Sequence, residues 1–106
     1  MLGVLNAQPG AVVNIGGIAN LTLLPANGRV TGFDCGPGNC LMDAWTRRHL
    51  QKSHDEGGHW AARGEVDARL LESMLQETYF SQTPPKSTGL EHFNMGWLER
   101  MLERHE

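Results

Sequence analysis

The placement of glycine between short apolar runs constrains the fold of this chain more than any other feature of its sequence. Of the 106 residues 13 are glycine, about 12% where an average protein has about 7%, and most of them lie in the first 60 residues. Two β-branched and aliphatic runs, residues 11–15 and 18–24, meet at Gly16–Gly17. This pattern predicts a β-hairpin that is closed by a primed turn.

A third strand is expected at residues 29–33, after the turn Pro25–Gly28. The sequence therefore predicts a three-stranded antiparallel meander over about residues 11–34. Beyond it, over about residues 39–105, apolar residues recur at three- and four-residue spacing, which indicates amphipathic helices. We accordingly expect an α/β chain of the α+β type, with the sheet first and the helices after it.

Three helices are predicted from apolar spacing and capping residues. They are expected at residues 39–51 with Asn39 as the N-cap, at about residues 67–76, and from Met95 onward with Asn94 as the N-cap. Residues 52–64 are polar and are predicted to form a loop. Residues 83–89 are predicted to form a second loop, because proline removes a hydrogen-bond donor and restricts the residue before it.

Composition excludes several functional classes. The formal net charge of −3 gives no basic surface of the kind that a dedicated nucleic-acid binder carries. No run approaches the ~18 apolar residues of a membrane span, and no basic and apolar leader begins the chain, so we expect neither membrane insertion nor secretion. Cys35 and Cys40 are too few for a disulfide framework, which favours a reducing cytoplasm. No metal site is assigned, since no second cysteine pair could complete a zinc site.

The glycine-rich hairpin and the glycine-rich turn before the first helix suggest an anion site, because backbone N–H groups can approach a phosphate where no Cβ intervenes. We expect the two segments to face one cleft. The candidate substrate- or phosphate-binding residues are Asn14, Gly16, Gly17, Asn20, Gly36, Gly38, Asn39 and Lys86. The asparagines could equally stabilise turns, and Lys86 could equally be an ordinary exposed lysine.

Asp34 lies where the third strand ends and the first helix is about to begin. A carboxylate in this place could act as a general base or as a magnesium ligand. It could also serve only as a cap or as a partner of the helix dipole. The residues alone leave these three roles open.

Four sequence blocks in a fixed order closely resemble anhydro-N-acetylmuramic acid kinases, which are bacterial enzymes of cell-wall recycling. The blocks are NIGGIANLTLLP, GFDCGPGN followed by LMDAW, a D-x-x-G-x-W-A-x-x-G pattern at Asp55–Gly64, and PPKSTG-x-E-x-FN at Pro84–Asn94. The resemblance implies the two-lobed actin/hexokinase-like sugar kinase fold. Residues 1–106 would then form a single partial domain at the start of the second lobe, so that the fold is incomplete.

The reaction that the resemblance implies is ATP-dependent opening of the 1,6-anhydro ring with phosphorylation of O6, which gives N-acetylmuramic acid 6-phosphate. It implies that Asp34 is the general base, that ATP and Mg²⁺ are required, and that the sugar and ATP are partners. A half-lobe would expose apolar surface that its missing parts normally cover, so a second copy or a complementary lobe is also an expected partner. The alternative is a catalytically incompetent fragment, or a subunit of a split kinase. Cys35, Cys40 and Leu90 depart from the residues usual in the family, and Leu90 removes any anion contact that an arginine would make there.

Overall fold

The computed structural model describes residues 9–105, which form a three-stranded sheet followed by four helices. The two ends of the predicted domain, residues 1–8 and 106, lie outside the described residues. The strands are β1 (Gly10–Ile15), β2 (Ile18–Leu24) and β3 (Thr31–Pro37), and they pair antiparallel in the order β1-β2-β3. The predicted meander is therefore confirmed, with the third strand two residues later at its start and four residues longer at its end.

The turn between β1 and β2 differs from the predicted primed type. Ile15 pairs with Ala19, which leaves Gly16, Gly17 and Ile18 between the last paired residues of the hairpin. Neither glycine has a positive φ, and a primed turn requires one. The prediction of a primed turn was wrong because two β-branched and aliphatic runs predict two paired strands but not the dihedral angles of the turn between them.

A β-bulge interrupts the pairing of β2 with β3. Ala19 pairs with Gly36 and Asn20 pairs with Asp34, so Cys35 is the extra residue on β3. Gly36 has a φ of +151° and is buried, and a Cβ there would approach the ring of Phe80 to 2.6 Å. The bulge thus bends β3 immediately after Asp34.

The helices are α1 (Cys40–Leu50), α2 (Ala68–Leu75), α3 (Thr78–Ser81) and α4 (Met95–Glu103). Asp67 caps α2, and Asn94 caps α4 by accepting a hydrogen bond from the Trp97 amide, as predicted for Asn94. Asn39 stands at the N-cap of α1, as predicted, but its side chain makes no capping hydrogen bond. α3 was not predicted, because a single turn has too few residues to show a period.

The connection between α1 and α2 is more ordered than the predicted polar loop. It contains two 3₁₀ turns, Glu56–Gly58 and Ala61–Arg63. The Asp55 carboxylate accepts hydrogen bonds from the amides of Trp60 at 3.0 Å and Ala61 at 2.9 Å. These amides hold the pKa of Asp55 below its ordinary value.

The core lies in the helical half of the chain. Its buried apolar residues come from α3, α4 and the segment before α4: Tyr79, Phe93, Trp97, Leu98 and Met101. Leu41 and Trp45 of α1 pack against this cluster. Among residues 9–105, no helix is both long and apolar enough to cross a membrane.

Candidate functional site

A row of polar side chains crosses the sheet one pair below the hairpin turn. Asn14 on β1 pairs with Asn20 on β2, and Asn20 pairs with Asp34 on β3. Residues directly opposite in antiparallel strands point to the same face, with Cβ atoms roughly 5 Å apart. Three of the residues singled out in the sequence are therefore brought together by the strand register.

The hairpin turn is joined directly to the start of α1. The Gly16 carbonyl accepts a hydrogen bond from the Asn39 amide at 2.9 Å, and the Gly17 carbonyl accepts from the amides of Gly38 at 2.9 Å and Cys40 at 3.2 Å. A Cβ at Gly38 would overlap the Gly16 carbonyl oxygen. The two glycine-rich segments thus touch rather than line opposite walls of a cleft, and the amides at the start of α1 are already in use.

The amides of the hairpin turn remain available. Among residues 9–105, the N–H groups of Gly16 and Gly17 donate to no acceptor. A Cβ at either position would meet only ordinary contacts at 3.8 Å. Within residues 9–105, neither a positive φ nor a close contact therefore requires glycine at these two positions.

Asp34 is held at three of its atoms by residues far away in the sequence. Its side-chain Oδ2 accepts a hydrogen bond from the Thr88 amide at 3.0 Å, and its backbone N–H donates to the Lys86 carbonyl at 3.3 Å. Its carbonyl oxygen accepts from the Tyr79 hydroxyl at 2.7 Å. Within the described part of the chain, Oδ1 accepts no hydrogen bond, whereas Oδ2 does.

Lys86 lies beside the site, but its ammonium points into the protein. Nζ donates to the carbonyl oxygen of Tyr79 at 3.0 Å and to that of Phe80 at 3.5 Å. It also lies 4.7 Å from the centroid of the Tyr79 ring. The predicted contact of Lys86 with a phosphate or a sugar carboxylate remains a prediction, and this geometry favours a structural contact.

Cys35, Cys40 and Leu90 lie in three different settings. Cys35 is the bulged residue. The Cys40 thiol donates to the Phe93 carbonyl at 3.8 Å, and burial raises its pKa. Leu90 is 61% exposed, so an apolar side chain occupies a surface position there.

The donor set places limits on how this chain could hold Mg²⁺. Among residues 9–105, no three histidine, cysteine, aspartate or glutamate side chains converge. In phosphoryl-transfer sites Mg²⁺ is held by phosphate oxygens, by water and by only one or two carboxylates. In the row, Asp34 is the only carboxylate and Asn20 is its cross-strand neighbour, so these residues could supply at most one carboxylate ligand to such a site.

Two residues of the site could not have been found from local pattern. Thr88 and Tyr79 contact Asp34 across 54 and 45 residues of sequence. Thr88 contributes only its backbone amide, which no residue type signals. Tyr79 lies in the unpredicted helix α3.

Comparison with known proteins gives a consistent result. The sequence model of the family described as anhydro-N-acetylmuramic acid kinase matches residues 4–106. The chain is 56% identical over 98 residues to the anhydro-N-acetylmuramic acid kinase of Chromohalobacter salexigens. These aligned residues cover 90% of this chain and 26% of that protein. It is 55% identical over 97 residues to that of Cupriavidus metallidurans, 89% of this chain and 26% of that protein. The chain thus spans about a quarter of the length of the curated relatives it matches.

Proposed function

Because this chain belongs to the anhydro-N-acetylmuramic acid kinase family, we propose that it supplies the general base and the phosphate-facing hairpin of an ATP-dependent sugar kinase. The substrate is 1,6-anhydro-N-acetylmuramic acid and the products are N-acetylmuramic acid 6-phosphate and ADP. The proposal extends to a cytoplasmic role in cell-wall recycling. The observation that carries it is the Asp34 carboxylate, which is fixed through one oxygen and free at the other.

In this reaction the oxygen of a water bonds to the anomeric carbon C1 while the C1–O6 bond breaks. Asp34 Oδ1 takes the proton that the water loses, as the base of an inverting glycosidase does. O6 forms a bond to the γ-phosphorus of ATP, and ADP leaves. The hydrogen bond from Thr88 to Oδ2 keeps the free oxygen in one orientation, so little reorientation is needed when the water reacts.

The hairpin is the proposed place for the phosphate end of ATP. The free amides of Gly16 and Gly17 would donate to phosphate oxygens. Asn14 precedes the turn by two residues, and a strand rises about 3.3 Å per residue, so the turn lies roughly 7 Å from the Asn14–Asp34 row. Mg²⁺ bound to the phosphates would neutralise the charge that develops on the transferred group.

A second candidate is that the chain by itself is an incomplete catalytic unit, which needs a complementary chain or lobe. The observation that favours it is the apolar face of β1, on which Val13 is 60% and Ile15 is 70% exposed. A base without the opposite wall of its cleft cannot align water, sugar and phosphate, and such alignment contributes up to about 7–11 kcal/mol to catalysis.

The test of the base uses a full-length chimaera in which this chain replaces the matching segment of the Chromohalobacter salexigens relative. Asp34→Asn keeps the acceptor for the Thr88 amide but removes the base, so turnover should fall about 10²–10⁴-fold with a much smaller change in sugar affinity. The matched control is Asp67→Asn. Asp67 caps α2 and asparagine caps as well as aspartate, so this variant should retain turnover.

Two outcomes would contradict the assignment. Near-normal turnover of the Asp34→Asn chimaera at ordinary magnesium concentration would leave Asp34 only a structural role. A loss of turnover that high magnesium restores would make Asp34 a metal ligand instead. The measurement is initial rate against both sugar and magnesium concentration.

A further inference from the structure

Lys86 and Asp34 are connected by two routes that close into a ring. One route is the backbone, since the Asp34 N–H donates to the Lys86 carbonyl at 3.3 Å. The other runs through Tyr79, whose carbonyl accepts from Lys86 Nζ at 3.0 Å and whose hydroxyl donates to the Asp34 carbonyl at 2.7 Å. A closed ring of hydrogen bonds restricts each member more than a single contact does.

Tyr79 is suited to hold a fixed position in this ring. Its side chain is 3% exposed and its ring lies edge-on to Phe93 in the core. Burial, together with the negative charges of Asp34 and Cys35, raises the pKa of Tyr79, so the hydroxyl remains a donor throughout the physiological range. The Lys86 ammonium lies over the aromatic ring of Tyr79 in the geometry of a cation–π contact.

Two residues beyond Lys86, the Thr88 amide donates to Asp34 Oδ2. The position of this amide depends on where residues 86–88 lie against β3. Lys86 fixes that segment at both its backbone and its side chain, and its ammonium hydrogen-bonds to two carbonyls of α3. Displacement of the segment by about 1 Å would turn the carboxylate away from its productive orientation, and misplacement on this scale can cost about 100-fold in rate.

We propose that Lys86 and Tyr79 are positioning residues that aim the Asp34 carboxylate, and that Lys86 does not contact a phosphate. This inference rests on the proposed function of Asp34 as the base. It assigns to the segment that follows Pro84–Pro85 a role in orienting the carboxylate of Asp34 on β3, although Lys86 and Asp34 are more than 50 residues apart in the sequence.

The first experiment needs no turnover. Hydrogen exchange of backbone amides is measured by NMR in the unligated full-length chimaera carrying Lys86→Met, Tyr79→Phe or neither. The amides of Asp34 and Thr88 should exchange at least about tenfold faster in both variants, because their protection depends on the ring. Tyr79→Phe removes one oxygen atom and keeps the aromatic ring in the core, so it tests the hydrogen-bond ring with little change in packing. The matched control is Lys52→Met, which removes the other lysine of this 106-residue segment, an exposed one, and should leave both rates unchanged.

The second experiment measures the kinetics of the same variants. Lys86→Met should lower kcat about 10–100-fold and change KM for ATP and for the sugar less than about threefold, because a positioning loss acts on the transition state. Tyr79→Phe should lower kcat in the same direction by less. Lys52→Met should match the unsubstituted chimaera.

Unchanged exchange at Asp34 and Thr88 in both variants would overturn the inference. A raised KM for ATP with unchanged exchange in Lys86→Met would also overturn it and would restore the phosphate contact. Faster exchange with an unchanged kcat would show that the ring does not aim a catalytic group. If Asp34→Asn retains turnover, the proposed function fails independently, since the exchange experiment does not depend on Asp34 being the base.

Discussion

Glu77 links three parts of the helical half through the two oxygens of one carboxylate. Oε1 lies 2.7 Å from His92 Nε2, and Oε2 accepts from Trp97 Nε1 at 3.2 Å, while the side chain is only 18% exposed. Burial by itself raises the pKa of Glu77, but the hydrogen bonds from Trp97 and His92, with the charges of His92 and Arg104, outweigh it and hold the pKa below the ordinary 4.5.

A carboxylate whose pKa is depressed by folding stabilises the folded state above its ordinary pKa, and this stability is lost as the pH falls through the folded pKa. Glu77→Gln should therefore lower the free energy of unfolding by about 1–3 kcal/mol at neutral pH. The difference should shrink as the pH falls below about 4.5. Urea unfolding, followed by tryptophan fluorescence, measures the free energy of unfolding at neutral pH and again below about pH 4.5. Glu72→Gln, at an exposed position of α2, is the control, and an equal loss at both pH values for Glu77→Gln would contradict the ion-pair explanation.

At the scale of elements, the contact between the hairpin and α1 decides how the sheet meets the helices. Three consecutive backbone amides at the start of α1 donate to the two carbonyls of the hairpin turn. The donors are Gly38, Asn39 and Cys40, and the acceptors are Gly16 and Gly17. This close approach is possible because Gly38 has no Cβ to strike the Gly16 carbonyl. The junction also fixes which atoms of the turn remain free for a ligand.

Gly38→Ala should therefore destabilise the chain by about 1–3 kcal/mol, because backbone must move to admit the methyl group. The control is Gly10→Ala, where a Cβ would meet nothing within 4 Å and the effect should stay within about 0.5 kcal/mol. Thermal unfolding of the two variants in parallel makes the comparison. Equal stability of both variants would mean that the hairpin and α1 are not held as close as described.

At the scale of the whole molecule, the described residues are extended. The radius of gyration is 16.6 Å, against about 13 Å for a compact domain of 100 residues. The apolar face of the sheet carries Val13, Ile15 and Leu23, which are 60%, 70% and 40% exposed. A contiguous apolar face of this kind marks a surface that associates with another.

We expect the chain alone to form dimers or larger assemblies and to show no ATP-dependent phosphorylation of the anhydro sugar above a control without enzyme. Val13→Thr combined with Ile15→Thr should weaken association, because both changes place a hydroxyl on that face. Val66→Thr is the matched control, since Val66 is 83% exposed in the segment between the second 3₁₀ turn and α2. Light scattering and a coupled assay read out the two properties. A stable monomer, or turnover by the purified chain, would contradict this picture.

The sequence by itself determined the elements with a strong local signal. The β-branched and aliphatic runs on both sides of Gly16–Gly17, with the turn Pro25–Gly28, specified the meander. The three- and four-residue spacing specified α1, α2 and α4, because this period is the geometry of the helix itself. The four ordered blocks were sufficient to identify the family. Asp34, Asn14 and Asn20 were singled out by type and place, although nothing local showed that they form one row.

Tertiary structure alone decided which polar residues lie in one row, which amides of the hairpin turn stay free, and how the Asp34 carboxylate is oriented. Strand register brings Asn14, Asn20 and Asp34 together, and register depends on pairing between segments. Which glycine amides stay free depends on α1 docking against the hairpin. The hydroxyl of Tyr79 and the amide of Thr88 reach Asp34 across 45 and 54 residues. Such contacts leave no local signature, because they form only when separately folded segments pack together.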